Sequence, residues 1–217
     1  VYYNTASGRR GPFLLWDNTA GGAFSSAKYA NMLETIDGLD AEAFTYYGTV
    51  GAVEFITQDA GHVIQAAART LNGNYSKTFT AVSRHDANTV DASRSMVIAN
   101  LTNNASYRST CGFFNPTGDA VTMELRLRNA ANGQVGSTIT KTLAGHEFTA
   151  FSPFSEAGVP YPGTSSDNVA LMVEATAGTG LAFCFGASAN NQSNDPAAHV
   201  AVQISGGYDN GPGSLQV

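Results

Sequence analysis

The dominant pattern along this chain is an alternation of apolar and polar residues with a period of two. In residues 121–128, the side chains of Val121, Met123, Leu125 and Leu127 alternate with polar ones. Successive side chains of a strand point to opposite faces of a sheet, so this segment predicts a β-strand with one buried and one wet face. Further strands in the second half of the chain are predicted at residues 134–143, 169–175, 181–187 and 199–204.

The first half of the chain repeats this pattern with one exception. Its strands are predicted at residues 11–17, 44–57, 63–71 and 77–83. In residues 26–36 the apolar side chains recur at helical spacing instead, which predicts one short helix capped by Ser25 or Ser26. Short strands joined by frequent turns are typical of a β-sandwich, so the chain is predicted to be all-β.

The chain also resembles itself. Residues 4–9 (NTASGR) read again as residues 103–108 (NNASYR), and residues 52–55 (AVEF) read again as residues 170–173 (ALMV). Offsets of 99 and 118 residues indicate a duplicated domain rather than a short repeating unit. The difference between the offsets predicts a first copy shorter by about 19 residues, with a hairpin like that at residues 120–139 missing.

A sheet that lacks a hairpin leaves an edge or a face to be covered. The helix at residues 26–36 is an alternative cover for that face. The polar residues 86–94 mark the boundary between the copies. We therefore predict two tandem β-sandwiches: a shortened one with one short helix at residues 1–90 and a complete one at residues 91–205. A flexible tail is predicted at residues 206–217.

The composition limits the classes of partner that the protein can bind. Charged residues make up 13% of the 217 residues, about half the usual share. Two copies with such a surface repel each other weakly, which favours close packing of copies. A polar, uncharged surface is equally typical of an ordinary secreted β-protein. The net charge of −6 argues against nucleic acid and against anionic membrane surfaces. No apolar run approaches the length of a membrane span, and the start at Val1 without methionine predicts a processed product.

Two cysteines, Cys111 and Cys184, lie in strand-like runs of the second copy. A disulfide between them is predicted if both strands face the core in an oxidising compartment. The alternative is a pair of buried free thiols, which behave as small apolar side chains. Their spacing indicates neither a metal site nor a redox motif.

The residues that carry chemistry are scattered. No catalytic set is predicted, because no histidine has another metal-ligating or catalytic residue at a recognisable spacing. The four histidines are His62, His85, His146 and His199. The acidic patch around residues 34–42 and the loop at residues 191–195 are weighed as calcium sites, but neither has the full ligand register. We predict no cofactor and no other metal.

A glycan-binding surface is the alternative in which tyrosines stack against sugars. Its candidate residues are Tyr2, Tyr3, Tyr46, Tyr47, Tyr161 and Tyr208. Aromatic side chains in alternating strands also belong to half-buried cores, so the same residues serve either interpretation.

Several segments of the second copy resemble one family. Residues 107–116 (YRSTCGFFNP) resemble an F-R-T-N-L-G-hydrophobic-hydrophobic-N strand, and residues 129–133 (NAANG) resemble a D-A-x-G hairpin. Residues 143–146 (LAGH) are similar to an L-x-P-G turn. Residues 181–183 (LAF) and 190–196 (NNQSNDP) are similar to an L-A-Y … D-N … N-D-P ending. Together they are typical of tandem immunoglobulin-like β-sandwich modules of bacterial secreted and surface proteins.

This resemblance covers residues 93–204 well and residues 1–85 loosely. It implies immunoglobulin-like sandwiches, an extracellular or cell-surface location and a buried arginine–asparagine framework, with no established catalytic set. It therefore informs architecture more than chemistry. Cys111 departs from the family pattern, in which leucine is usual at that position.

From these observations we predict a non-enzymatic extracellular structural protein that assembles with copies of itself, as a filament or surface-layer subunit. The expected assembly segments are the two chain ends, Val1-Tyr2-Tyr3 and Leu215-Gln216-Val217, since a strand from a neighbour can complete a deficient sheet. The alternatives are a glycan-binding or adhesion module and a secreted enzyme on the same scaffold. The enzyme would need clustered carboxylates or histidines, which the sequence does not offer.

Overall fold

The structure, a computed structural model, describes residues 1–14, 29, 31–40, 49–57, 66–72, 75–82, 89–129, 133–160 and 166–204. These parts of the chain are mostly β, with several antiparallel sheets and little helix. This confirms the predicted all-β class.

The elements are named here in chain order. The first part of the chain contains β1 (Tyr2–Thr5), β2 (Gly8–Arg10), α1 (Met32–Leu39), β3 (Ala52–Glu54), β4 (Ala67–Asn72) and β5 (Tyr75–Thr80). The second part contains β6 (Thr89–Val90), β7 (Ser95–Asn103), β8 (Tyr107–Phe114), β9 (Val121–Asn129), β10 (Gly133–Leu143), β11 (Phe148–Phe151), α2 (Pro153–Glu156), β12 (Ser166–Gly178), β13 (Ala182–Asn190), β14 (Pro196–Val200) and β15 (Val202–Ile204).

The second part forms two antiparallel sheets around one apolar core. One sheet has the strand order β10-β9-β12-β7-β15, and the other has the order β11-β8-β13-β14 with β6 beside β13. The alternation predicted for residues 121–128 is confirmed, because their apolar side chains are buried and their polar ones are not. Side chains from both sheets meet in a single buried cluster, where each large one contributes roughly 1.5–3 kcal/mol.

The last predicted strand differs from the observed one. Residues 199–204 were expected to form a single strand, but the chain changes sheets at Ala201, which is buried. β14 pairs with β13 in one sheet, and β15 pairs with β7 in the other. One segment, residues 196–204, therefore supplies the edge strand of both sheets at the same side of the core.

The first part has a smaller core. β1 is the middle strand of the sheet β2-β1-β3, and β4 and β5 form a separate hairpin. Tyr3 from β1 and Ile36 from helix α1 belong to one buried apolar cluster, against which Met32 and Val53 also pack. Helix α1 therefore covers this sheet. The predicted caps Ser25 and Ser26 are wrong, because the helix begins after Asn31, whose Oδ1 atom accepts a hydrogen bond from the Glu34 amide at 3.3 Å.

The internal repeat stays a prediction. β1 pairs with β3 and β7 pairs with β12, but Asn4 is opposite Ala52 whereas Asn103 is opposite Ser166 and not Ala170. The two segments also differ at the first turn, since β1 pairs with β2 whereas β7 and β8 belong to different sheets. The segment in which the first copy was expected to lack a hairpin lies largely outside the described residues. The strand predicted at residues 11–17 is wrong over residues 11–14, which are described and belong to no strand, and residues 15–17 lie outside the described residues.

The two parts of the chain contact each other at both edges of the sheet β11-β8-β13-β14. β1 lies next to β11, and β5 approaches β14 without pairing with it among the described residues. Thr89 and Val90 pair with β13, so the short strand before residue 91 belongs to the second set of sheets.

Candidate functional site

The resemblance motifs converge on strand β8, which carries a polar hub at each end. At the start of the strand, the Arg108 guanidinium donates hydrogen bonds to Oδ1 of Asn191 at 3.1 Å and to Oδ1 of Asn194 at 2.7 Å. The side-chain amide of Asn191 in turn donates to the carbonyl oxygens of Asn104 and Ala105. The arginine–asparagine framework is thus present, but it is exposed and not buried as the resemblance implied.

At the other end of β8, the buried Asn115 side chain ties two turns together. Its Nδ2 atom donates to the carbonyl oxygens of Asp119 at 2.7 Å and of Ala144 at 3.0 Å. Its Oδ1 atom accepts from the Thr117 amide at 2.9 Å. Since each contact fixes backbone, both ends of the motif strand serve loop geometry, and neither presents a reactive group.

The loop at residues 191–195, weighed as a calcium site, is occupied by the positively charged side chain of Arg108. The amide oxygens that would ligate the metal accept hydrogen bonds from Arg108 instead. In the acidic patch, Asp40 lies 3.7 Å from Arg10. Within the described ranges, no three histidine, cysteine or acidic side chains are grouped closely enough to hold a metal ion.

The two cysteines lie on the core-facing side of neighbouring strands. Cys111 is opposite Gly186 in the pairing of β8 with β13, and Cys184 is opposite Phe113, so the two are diagonal neighbours. Both are buried free thiols in the structure, and the disulfide stays a prediction. Burial raises the pKa of Cys111 to about 12, and burial together with the nearby Cys111 also raises the pKa of Cys184.

A buried serine–histidine chain links β8, β13 and β14, and the sequence reasoning missed it. The Ser188 hydroxyl lies 2.7 Å from the Ser109 hydroxyl and 2.9 Å from Nε2 of His199. The Ser109 hydroxyl also donates to the Thr102 carbonyl oxygen and accepts from the Thr102 amide, both at 2.8 Å. Ser188 is directly opposite Ser109, and His199 lies two positions along β14 from Ala197, which is opposite Ser188. Only the strand register therefore brings the three side chains together.

This chain has the distances of a nucleophile and base but not their accessibility. Ser109 and Ser188 are both buried, and the Ser109 oxygen is engaged by the backbone of β7. The arrangement connects one sheet to the other and fixes the edge strand β14 through His199. It supports structure at the edge and gives no reacting atom access to Ser188.

A second polar cluster joins the two parts of the chain around Arg9. The guanidinium donates to Oε2 of Glu54 at 2.7 Å and to Nε2 of His146 at 3.2 Å, and it lies 3.6 Å from the centre of the Tyr2 ring. Desolvation by burial lowers the pKa of the nearby Val1 amine; Glu54 opposes this shift and Arg9 adds to it.

The structure places one expected assembly segment inside its own sheet. Val1–Tyr3 enters β1, which is hydrogen-bonded to β2 on one side and to β3 on the other, and Tyr3 is only 2% exposed. The Val1 amine donates to the Phe13 carbonyl oxygen at 2.8 Å. A donor role for this segment would require it to leave that sheet. The other segment, Leu215 to Val217, lies outside the described residues, as do Tyr46, Tyr47, Tyr161 and Tyr208.

Exposed apolar side chains gather at the edge formed by residues 196–204, called the acceptor edge below. Val200 is 65% exposed and Val202 is 60% exposed on either side of the buried Ala201. Phe185, opposite Val200 in the strand pairing, is 41% exposed, and its ring stacks on Phe148 with the ring centres 6.4 Å apart. The acceptor edge carries no lysine, arginine, aspartate or glutamate.

No helix in the described part of the chain is long and apolar enough to span a membrane. Comparisons with protein-family models, with curated proteins and with solved structures found no match for this chain.

Proposed function

We propose that this protein is a non-enzymatic extracellular structural protein that assembles with copies of itself, as a filament or surface-layer subunit. In this proposal, residues 1–90 and 91–205 are two tandem immunoglobulin-like β-sandwiches, the first shortened. The two sheets packed on one core in the second part, and the polar hubs at both ends of β8, support this architecture.

The observation that carries the proposal is the exposed apolar surface of the acceptor edge, which β5 approaches at β14 without pairing with it among the described residues. Edge strands offer unpaired backbone groups to other chains, and proteins that stay monomeric protect such edges with lysine, proline, bulges or inward-pointing charge. Here Pro196 removes one donor, but the exposed Val200 and Val202 have no charged residue beside them in the segment. Contiguous exposed apolar residues at an edge are a feature of interaction surfaces.

Charge on the rest of the molecule favours the same interpretation. With 13% charged residues, two copies meet little electrostatic repulsion as they approach. A contact between an edge on one copy and a different surface on the next is head-to-tail. Such contacts generate open filaments where the rotation between copies does not close a ring.

The test compares the wild type with the double variant Val200→Lys/Val202→Lys, called the edge-blocked chain below. We expect sedimentation velocity and negative-stain electron microscopy to show assemblies for the wild type and monomers for the edge-blocked chain. Val50→Lys is the matched control, because Val50 is 64% exposed elsewhere on the molecule. A wild type that stays monomeric at high concentration would refute the proposal. An edge-blocked chain that assembles as well as the wild type would refute the acceptor edge as the contact between copies.

A glycan-binding or adhesion module is the second candidate, and one observation favours it. Tyr107 is exposed at the start of β8, and its backbone amide donates to Oδ1 of Asn104, whose Nδ2 atom donates to the Asp167 carboxylate. An aromatic face beside convergent amides is suited to sugars. Glycan-array screening of the wild type and of Tyr107→Ala tests it, and loss of a specific signal in the variant alone would support this candidate.

A further inference from the structure

We propose that the acceptor edge binds residues 214–217 (SLQV) of a second copy. This inference rests on the proposed function, since it names the partner that the edge receives. The contact would be the addition of an extended segment to a sheet edge, in which backbone hydrogen bonds provide affinity and alternate side chains provide specificity.

The donor segment has the pattern that such a contact needs. Leu215 and Val217 alternate with Ser214 and Gln216, so an extended chain would place two apolar side chains on one face and two polar ones on the other. Like the acceptor edge, the segment carries no charged side chain.

The connection is long enough to leave the molecule. β15 ends at Ile204, and residues 205–213 (SGGYDNGPG) lie between it and the donor segment. Fully extended, these nine residues span roughly 30 Å. Because β15 is itself part of the acceptor edge, each copy would carry its donor next to its own acceptor, and donation to the next copy would repeat head to tail.

The acceptor presents a matching surface around Val200 and Val202. Both side chains point away from the core, because the buried Ala201 lies between them where the chain changes sheets. Phe185 extends the apolar surface on the side of β14, and Gly112 makes room for its ring. An added Cβ at Gly112 would lie 2.2 Å from Cζ of Phe185. β5 approaches β14 nearby, yet both valines stay more than half exposed.

The experiment uses two full-length variants with complementary defects. The edge-blocked chain keeps its donor segment, and a donor-blocked chain, Leu215→Lys/Val217→Lys, keeps its acceptor edge. We expect each variant alone to be a folded monomer by circular dichroism and sedimentation. Their mixture should give a 1:1 heterodimer, and no larger species, because only one donor and one acceptor remain functional.

The other possible outcomes distinguish a failure of this inference from a failure of the proposed function. If the donor-blocked chain assembles like the wild type while the edge-blocked chain does not, the donor is another surface: this inference fails and the proposed function stands. If both variants assemble, this inference fails, and the contact between copies lies on another surface than the acceptor edge. If both are monomers that do not combine, the tail acts within its own chain, which overturns the second-copy partner. Ser214→Ala/Gln216→Ala, which keeps the apolar face, is the matched control and should assemble normally.

Discussion

Nη1 of Arg9 lies 3.2 Å from Nε2 of His146, and this hydrogen bond joins residues that are 137 positions apart. A guanidinium only donates hydrogen bonds, so Nε2 of His146 is the acceptor in this contact. His146 has a φ of 60°, and its own amide donates to the Thr117 carbonyl oxygen at 2.9 Å. The turn at residues 144–147 is therefore held by a hydrogen bond within the second part of the chain, and it contacts the first part through Arg9.

Replacement of Arg9 should loosen the contact between the two parts. Arg9→Ala leaves the mostly buried Glu54 carboxylate without its cation and removes a guanidinium stacked on Tyr2. We expect the free energy of unfolding to fall by about 2 kcal/mol, measured by urea denaturation. The free energy of unfolding of Arg9→Lys should lie between those of the wild type and Arg9→Ala, because an ammonium cannot serve both acceptors in the same planar geometry.

Arg126→Ala is the matched control for this prediction. Arg126 bridges Glu124 and Glu174 on the wet face of the sheet β10-β9-β12-β7-β15, where exposed ion pairs contribute about 0.2–1 kcal/mol. An equal loss of stability in both variants would contradict a special role for Arg9.

Gly145 should be irreplaceable, whereas Gly118 should tolerate substitution. A Cβ at Gly145 would lie 2.2 Å from the carbonyl oxygen of Gly118, and backbone cannot move aside as a side chain can. We expect Gly145→Ala to lower stability by about 1–3 kcal/mol in thermal or urea unfolding.

Gly118→Ala is the control at the same crossing of turns. No atom lies within 4 Å of a Cβ at that position, so the change should stay within about 0.5 kcal/mol. If the two substitutions had equal effects, the close approach of these two turns would be disproved.

The buried thiols should resist modification until the chain unfolds. The thiolate is the reactive form, and burial raises the pKa of Cys111 to about 12. We expect Ellman's reagent to detect no thiol in the native protein near pH 8 and two thiols per chain in guanidinium. If no thiol appears in unreduced, unfolded protein, the Cys111–Cys184 disulfide predicted from the sequence is present.

The same cysteines should make stability depend on alkaline pH. Their pKa values are higher in the folded than in the unfolded state, so their contribution is complete below the ordinary thiol pKa of about 8.5 and is lost as the pH rises toward 12. We expect the unfolding free energy of the wild type to fall more between pH 8 and 11 than that of Cys111→Ala/Cys184→Ala. Parallel curves would contradict the burial of the thiols.

Asp91 should make stability depend on acid pH. Desolvation acts to raise its pKa, but hydrogen bonds from Arg94 and Ser93 outweigh it and lower the pKa to about 2. Because the folded pKa lies below the unfolded one, the contribution is complete above the ordinary value and is lost as the pH falls through about 2. The stability difference between wild type and Asp91→Asn should shrink over that range in urea titrations. A constant difference would contradict the ion pair.

Local pattern was a good guide to some elements and a poor guide to others. The strand around Leu125 could be predicted because it lies inside a sheet with one buried face, and burial imposes strict alternation. The edge segment 196–204 could not, because Ala201 is small enough for either a strand interior or a crossing between sheets. The helix cap was misplaced because Ser25, Ser26 and Asn31 are all acceptable caps.

Candidate residues divide in the same way. The resemblance drew attention to Arg108 and Asn115, and both turn out to be hubs of hydrogen bonds at the ends of β8. The chain Ser109–Ser188–His199 was missed because its members come from three strands, and only the strand register places them together. The contact of Arg9 with His146 has no local signal in the sequence for the same reason.

The sequence by itself therefore determined the all-β class, the strand β9 with its alternating buried and wet side chains, and the low proportion of charged residues. These depend on the composition and on the periodicity of single segments, which act over a few residues. Only the tertiary structure decided that Val1–Tyr3 is a middle strand, that Cys111 and Cys184 are diagonal neighbours, and that residues 196–204 form the edge of two sheets. These features depend on pairing between distant segments, where backbone hydrogen bonds are nearly independent of side-chain identity and packing of the whole core selects the register.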